Sequence, residues 1–496
     1  MTPTVTLNNL DDIRHYFAEN KTPYYFISAT NFNLMGMHEW VQHWTHITMV
    51  DCYDGKHPQV LNIENDHQQI FENIEDINLY LLKHPTVQNL ISAQTSSQPS
   101  AGCALFLFFD ERIEALCRTL NLDLILPQYR LVREIDSKII TTEIGNLAGV
   151  SSVPNVLAHI SSYADLVDAA KNLGKQWVVQ TAYGDSGKTT FFISSEDDYR
   201  RHANKIEAED MVKVMRRVNC VGSAIEACAT RWGTFVGPLL TELIGISNLT
   251  PYPGGWCGNE LYADAFSETI RAQVLQKTQA MGDALYQRGY RGYFELDFLI
   301  DQDNEAVYLG ELNARITGIS AMTNMSNFSA DHIPLFLFHL LEYASNIELN
   351  LNVESFNQSV LREGASGTAA QIILKYTDEP LKIITQAAVS GVYTLEADGN
   401  LLLQHTGYTR REALAENEAY LLRIMSADEY VYQGADLAIL FVNNVIRQPD
   451  GTLNLAGATW TSALKSMFEF RQLNQAERSA VEAVNNPAHI KSGRDQ

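Results

Sequence analysis

The stretch Gly289–Asn324, GYRGYFELDFLIDQDNEAVYLGELNARITGISAMTN, constrains the folding of this 496-residue chain more than any other. Tyr293 to Ile300 alternates and is rich in aromatic and branched residues, the pattern of a strand. Asp301 to Asn304 has turn chemistry, and Val307 to Leu312 is a second apolar run, so a hairpin is predicted. Strand side chains alternate between faces, so Glu295 and Asp297 point one way, and Glu311 and Asn313 share a side. Paired antiparallel, the strands bring three carboxylates, an amide and, two residues on, Arg315 to one face. Oxygens of this kind suit a hard cation such as Mg²⁺, which keeps waters and substrate phosphates as its other ligands. The exposed face of an ordinary hairpin has the same pattern, and Glu295 and Asp297 alone do not decide between the two.

The deciding feature is the pentad Glu311-Leu-Asn-Ala-Arg315 directly after an apolar strand. It resembles the ATP-grasp superfamily, where a carboxylate on one strand and an E-x-N on the next hold Mg²⁺ or Mn²⁺ against ATP phosphates. The arginine that follows resembles the biotin-carboxylase branch, where it faces the reacting carboxylate or phosphate. The resemblance implies Asp297, Glu311 and Asn313 as metal ligands, with Glu295 in reserve, and Arg315 as the catalytic charge stabiliser.

The resemblance extends upstream. Asp136 to Gly149 reads as an amphipathic helix ended by glycine, followed by the extended segment Val153-Pro-Asn-Val156. Its opening looks like the family's first nucleotide lysine, which makes Lys138 a phosphate contact. Trp177–Gln180 is a strand, and the segment from Thr181 to Thr190 is a donor-rich turn before the next one. Gly187-Lys-Thr looks like the end of a P-loop, but Ala182 stands where that motif needs glycine, and a strand follows rather than a helix. Strand, glycine loop and strand instead resemble the ATP-grasp lid, whose backbone amides close over phosphates; Gly184, Ser186, Gly187 and Lys188 are its candidates. The family usually has a second lysine where this chain has Gln180. Gln180 can still hydrogen-bond the nucleotide, and Lys188 is expected to supply the missing charge. Met211–Arg216 stands where the family runs a strand past the adenine, so the backbone of Lys213, Val214 and Met215 is expected to read the base. Gly222–Ala229 and Phe235-Val-Gly are expected as return strands of the lid. Leu249–Asn259, turn-dense around Trp256, is a candidate substrate lid or a packed connector, and Ile316–Ala321 offers backbone donors for a carboxyl phosphate.

Elsewhere the chain is less specific. Strand runs at Tyr24–Ser28, Ile47–Val50, Cys103–Phe109 and Leu122–Leu126 alternate with helical stretches, which predicts a parallel α/β domain. No G-x-G-x-x-G follows the first strand. His38, His43 and His46 lack the spacing of a metalloprotease helix and are expected to pack or lie at the surface. Asn357–Thr368 reads as a linker. After it come closely spaced strands with Asp-Gly turns at 398–400 and 450–452, an α+β region resembling the C-terminal domain of biotin-carboxylase-like ligases. The expected division is an N-terminal α/β domain (1–125), an ATP-grasp domain (126–350, lid about 176–246), a mainly antiparallel C-terminal domain (351–475) and a tail (476–496). A formal net charge of −23 argues against nucleic-acid or anionic-membrane surfaces. The six cysteines form no C-x-x-C pair and are expected as buried thiols. No signal peptide or spanning helix is expected, which suits a cytoplasmic protein; a homodimer stays open.

The resemblance implies an ATP- and Mg²⁺-dependent ligase that activates a small carboxylate as an acyl phosphate and couples it to an amine, in amino-acid or small-peptide ligation. Biotin-carboxylase-type carboxylation is disfavoured, because Ile316-Thr-Gly-Ile319 replaces the Gln-Val-Glu-His associated with that chemistry. A nucleotide-binding regulator without turnover is the reading that Gln180 keeps alive.

Overall fold

The computed structural model describes residues 4–64, 71–95, 100–184, 189–325, 332–363, 367–409, 413 and 415–484. The first segment forms the expected parallel sheet of five strands, ordered Val60–Asn62, Trp44–Thr48, Tyr24–Ser28, Cys103–Phe106, Asp123–Leu124. Tyr24–Ser28 lies in the middle and is buried at every position, because helices cover both faces of such a sheet. Its helices start on side-chain caps: Asn9 accepts from the Asp12 amide, and Asp110 from those of Arg112 and Ile113.

A small antiparallel sheet follows, ordered Asn155–Ala158, Val212–Arg216, Trp177–Gln180, Thr190–Ile193. One face is apolar and packs under the helices Tyr163–Ala169 and Glu196–Ile206, through Val179, Phe191, Val212 and Val214. Alternation turns Val178, Gln180, Lys213 and Met215 to the other face. This is the lid, and its strands run from 155 to 216. The segments expected as its return strands belong elsewhere. Cys220–Thr230 and Gly233–Ile244 are long strands, buried over most of their length, of the central sheet. They pair with each other, and Cys220–Thr230 pairs also with Gly292–Asp301, a length and burial that a four-stranded lid does not offer.

The central sheet has ten antiparallel strands. Five come from the middle of the chain, ordered Val307–Asn313, Gly292–Asp301, Cys220–Thr230, Gly233–Ile244, Trp256–Leu261. The C-terminal part continues it with Ala369–Lys375, Asp436–Val442, Glu418–Arg423, Gly391–Leu395 and Leu401–His405. The seam is the pairing of Gly258 with Ile372, and Gly258 has φ of +139°. A Cβ there would stand 2.0 Å from the Gln371 carbonyl oxygen, so the two halves join only because this residue has none. The long helix Glu268–Gln287 lies on the first half, and Asn357, expected in a linker, sits in the helix Val353–Glu363. There the Asn357 side chain is buried, donating to the Thr234 carbonyl and accepting from the Val236 amide. All six cysteines are free, and no helix among the described residues is long and apolar enough to cross a membrane.

Candidate active site

The predicted hairpin forms from Gly292–Asp301 and Val307–Asn313. Glu295 pairs with Asn313, and Asp297 directly faces Glu311. One step further the register shifts, with Phe298 opposite Leu309, which leaves Gly310 as an extra residue. This bulge decides which side chains reach the site. In a regular strand Leu309 and Glu311 would share a face. Here Val307 and Leu309 enter the core with Phe298 and Ile300, while beyond the bulge Leu312 and Ala314 take over the core. Glu311, Asn313 and Arg315 are thereby turned to the Asp297 side.

That side walls a cavity of about 750 Å³, which Glu242, Glu295, Asp297, Glu311, Asn313 and Arg315 all line. Asn313 Nδ2 is 3.5 Å from Asp297 Oδ2, and Arg315 donates to Asn313 Oδ1 at 2.9 Å and to the Ile316 carbonyl at 3.2 Å. The Arg315 guanidinium also lies over the Phe108 ring of the N-terminal domain, 4.9 Å from its centroid. Burial raises the Asp297 carboxyl well above its usual range, and the charges of Glu295 and Glu311 push it further, against the pull of Arg315. Burial followed by the charge of Glu226 lifts Glu295 to about 8. Burial also raises Glu242, which lies over Gly222; a Cβ at Gly222 would stand 2.2 Å from its Oε2. Crowded carboxyl oxygens beside an amide fit the hard, oxygen-preferring chemistry of Mg²⁺, whose protein ligands are usually one or two carboxylates. Asn313 Oδ1 keeps a lone pair free beside its bond from Arg315. Among the described residues no three His, Cys, Asp or Glu form a ready metal cage.

Lys138 opens the helix Lys138–Leu147 and is 5 % exposed. Its Nζ donates to Glu311 Oε1 at 2.7 Å and to the Gly184 carbonyl at 2.7 Å, while its amide is bound to the Ala182 carbonyl. Three predicted site residues thus meet at one ammonium. Gly184 has φ of +144° and lines the cavity, as does Tyr183, whose ring lies 4.0 Å under the Arg133 guanidinium. Ser186, Gly187 and Lys188 lie outside the described residues. Gln180 is on the lid's inner face, where its Nε2 donates to Thr190 Oγ1 at 3.2 Å and its Oε1 has no partner.

The backbone role expected for Lys213, Val214 and Met215 is corrected by the sheet order. Their strand is interior, paired with Asn155–Ala158 on one side and Trp177–Gln180 on the other, so its edges are not free to read a base. Of the side chains, Val214 enters the small sheet's own core, while Met215 clusters with Val153 and Val178 against Val218, Leu299 and Tyr308, a buried apolar contact between the small sheet and the central sheet.

Several contributors escaped the sequence reading. Glu226 is fully buried and accepts from Tyr293 Oη at 2.5 Å, from Thr317 Oγ1 at 3.1 Å and from Ser320 Oγ, which ties the 317–320 turn to the sheet. Burial raises it to about 7. In that turn the Thr317 and Ile319 amides bind Ser320 Oγ and Thr317 Oγ1, so they are not the open donors expected of them. Trp256 begins a strand and walls the cavity against Gly318, its Nε1 donating to Asn259 Oδ1 at 2.9 Å. The three histidines His38, His46 and His57 form a buried ring cluster away from the site, with centroids 4.6 to 6.5 Å apart. His38 and His46 therefore pack, as expected.

A lid over a long antiparallel sheet, with paired carboxylates below it, is the ATP-grasp fold. The biotin carboxylase domain of the 2-oxoglutarate carboxylase from Hydrogenobacter thermophilus, solved with MgADP, ADP and bicarbonate, superposes with a TM-score of 0.58 at 11% identity, covering 92% of each chain. The biotin carboxylase of Campylobacter jejuni gives 0.57 at 13% identity, over 95% of this chain and 97% of that one. An L-amino acid ligase from Bacillus licheniformis gives 0.53 at 12% identity, over 92% and 99%. No protein-family model matches the chain. Among curated proteins, the [butirosin acyl-carrier protein]–L-glutamate ligase of Niallia circulans is 24% identical over 225 residues, 43% of this chain. The chain spans about half the length of that relative, 51%.

Proposed function

We propose that the chain is an ATP- and Mg²⁺-dependent ligase that joins a small carboxylate, an amino acid or small peptide, to an amine. The observation that carries this reading is the register of the hairpin, which sets Asp297 opposite Glu311 and turns Asn313 and Arg315 to the same cavity. The glutamate ligase and the amino acid ligase among the similar proteins support amide formation as the outcome.

On this reading adenine packs beside the apolar cluster of Val153, Val178, Met215 and Leu299, and the phosphates run toward Lys138. Asp297, Glu311 and the Asn313 amide oxygen would hold Mg²⁺, which would supply charge neutralisation at the phosphates. Lys138 exchanges Glu311 for a phosphate oxygen, which frees the carboxylate it occupies in the unliganded protein. The Arg315 fork orients the substrate carboxylate in line with the γ-phosphorus and offsets the negative charge that spreads over the phosphoryl oxygens. A carboxylate oxygen bonds to that phosphorus as its bond to the ADP oxygen breaks, giving acyl phosphate and ADP. The amine nitrogen then bonds to the carbonyl carbon, phosphate leaves, and the extra proton on nitrogen passes to water. No step calls for a protein nucleophile, and among the described residues no serine, cysteine or histidine lines the cavity.

The test is phosphate release from MgATP over a matrix of amino-acid pairs, with products read by mass spectrometry. The expected result is an amide formed in step with ADP and phosphate. The absence of an amide with every pair contradicts the ligase reading.

A further inference from the structure

We infer that Lys213 binds the nucleotide's phosphates, supplying from the neighbouring strand the positive charge that Gln180 does not have. This rests on the nucleotide site proposed above and adds a residue to it.

Lys213 lies directly opposite Gln180 in the antiparallel pairing of Val212–Arg216 with Trp177–Gln180, so the two side chains stand on one face. That face turns toward the central sheet, because Met215, two residues on, packs with Val178 against Leu299 and Tyr308, whereas Val214 between them is in the small sheet's own core. Adjacent strands are about 4.8 Å apart, a displacement the four-carbon stem of lysine spans.

The ammonium is held without a counter-charge. Lys213 is 1 % exposed, and it makes no hydrogen bond or ion pair with a described residue. Burying an unpaired charge is unfavourable and needs a reason. Burial lowers its pKa to about 7, against the pull of the Glu311 charge and with the push of Lys138. Among the described residues the two other buried lysine and arginine side chains are already engaged: Lys138 with Glu311, and Arg423 with Asp54. Beside Lys213, Gln180 Oε1 is buried and unpartnered. A lone buried cation and an orphaned amide side by side on one face of the small sheet are completed by an anion with adjacent oxygens, as in a nucleoside di- or triphosphate.

Calorimetric titration of the full chain with MgADP and with adenosine tests the assignment in three proteins: wild type, Lys213→Met, and Gln180→Lys combined with Lys213→Gln. Lys213→Met is expected to weaken ADP binding on the order of tenfold to a hundredfold, the loss of one charged contact, and to leave adenosine binding unchanged. Its unliganded melting temperature should hold or rise, because an unpaired buried charge has gone; a merely structural lysine would lower it. The double variant should recover ADP affinity to within about threefold of wild type, by returning the charge across the strand pair. Unchanged ADP affinity in Lys213→Met, or equal losses for ADP and adenosine, overturns the assignment while leaving the nucleotide site intact. A wild type that binds neither ligand overturns the site and this inference together.

Discussion

Replacing Arg315 separates a catalytic role from a structural one. Its guanidinium makes two hydrogen bonds, to Asn313 Oδ1 and the Ile316 carbonyl, and one face contact with Phe108. The side chain is half-buried, so each hydrogen bond is worth about 1 kcal/mol and the ring contact about 0.5 kcal/mol. Arg315→Ala should therefore lower the unfolding free energy by roughly 2.5 kcal/mol, small enough for a folded protein. Turnover should fall much further. Removing one preorganised donor from the developing charge of a transition state costs about 3–4 kcal/mol, or roughly 10²–10³ in rate. Arg315→Lys keeps the charge but not the fork, so it should recover part of the stability and little of the rate. The assay is steady-state phosphate release beside calorimetric titration of ATP on both variants. A fall in kcat with ATP affinity preserved is the expected split. Near-normal turnover in Arg315→Ala, or a raised KM for ATP with kcat intact, refutes the reasoning.

Three further outcomes follow from the geometry. Glu311→Gln keeps an acceptor for Lys138, so melts should show a loss of only about 1 kcal/mol, while phosphate release should vanish at millimolar Mg²⁺; retained turnover would remove Glu311 from the metal site. Gly318→Ala would set a Cβ 2.4 Å from the Trp256 ring, which its bond to Asn259 holds in place, so the ring or the 317–320 turn must move. The KM for the carboxylate or amine should rise with ATP binding unchanged, and equal kinetics would show that this wall does not touch substrate. Acid sensitivity should trace partly to His38, His46 and His57. Burial lowers His38 to about 4, His57 to about 3 and His46 well below the ordinary 6.5. The unfolded chain protonates first, so each contributes stability that is lost as pH falls below 6.5, about 1.4 kcal/mol per histidine between pH 7.5 and 5.5. Buried carboxyls with raised values, such as Glu226, run the opposite way, so the measurement is a comparison. His57→Gln should lose about 1.4 kcal/mol less than wild type over that interval, and identical losses would contradict the assignment.

The hairpin was legible because its alternation and the Glu-Leu-Asn-Ala-Arg run are local. The bulge that makes it work was not read. Val307-Tyr-Leu-Gly-Glu-Leu-Asn, taken as a regular strand, puts Leu309 and Glu311 on one face, and Gly310 within an apolar strand is the only local sign that it is irregular. The parallel N-terminal sheet is legible from alternating strands and helices, with its central strand Tyr24–Ser28 buried on both faces. Glu226 and Glu242 were not, because a glutamate in an apolar run gives no sign of the Tyr293, Thr317 and Ser320 hydroxyls or the Gly222 gap that accommodate it. Lys213 was read for its backbone alone. Its meaning depends on Gln180 being its cross-strand neighbour, a pairing across more than thirty residues that no local pattern encodes. The stretch Asn357–Thr368 reads as a linker because its polar residues and glycines resemble a loop, yet its first part, to Glu363, belongs to the helix Val353–Glu363, with Asn357 buried against the central sheet.

The central claim is that a carboxylate is activated by phosphoryl transfer. It is tested most directly by supplying amino acids labelled with heavy oxygen in the carboxyl group, together with MgATP and an amine. The account predicts that one labelled oxygen from the acid appears in the released phosphate, in step with amide product, because the acyl phosphate carries that oxygen away on phosphorus. Amide formed with unlabelled phosphate would contradict it.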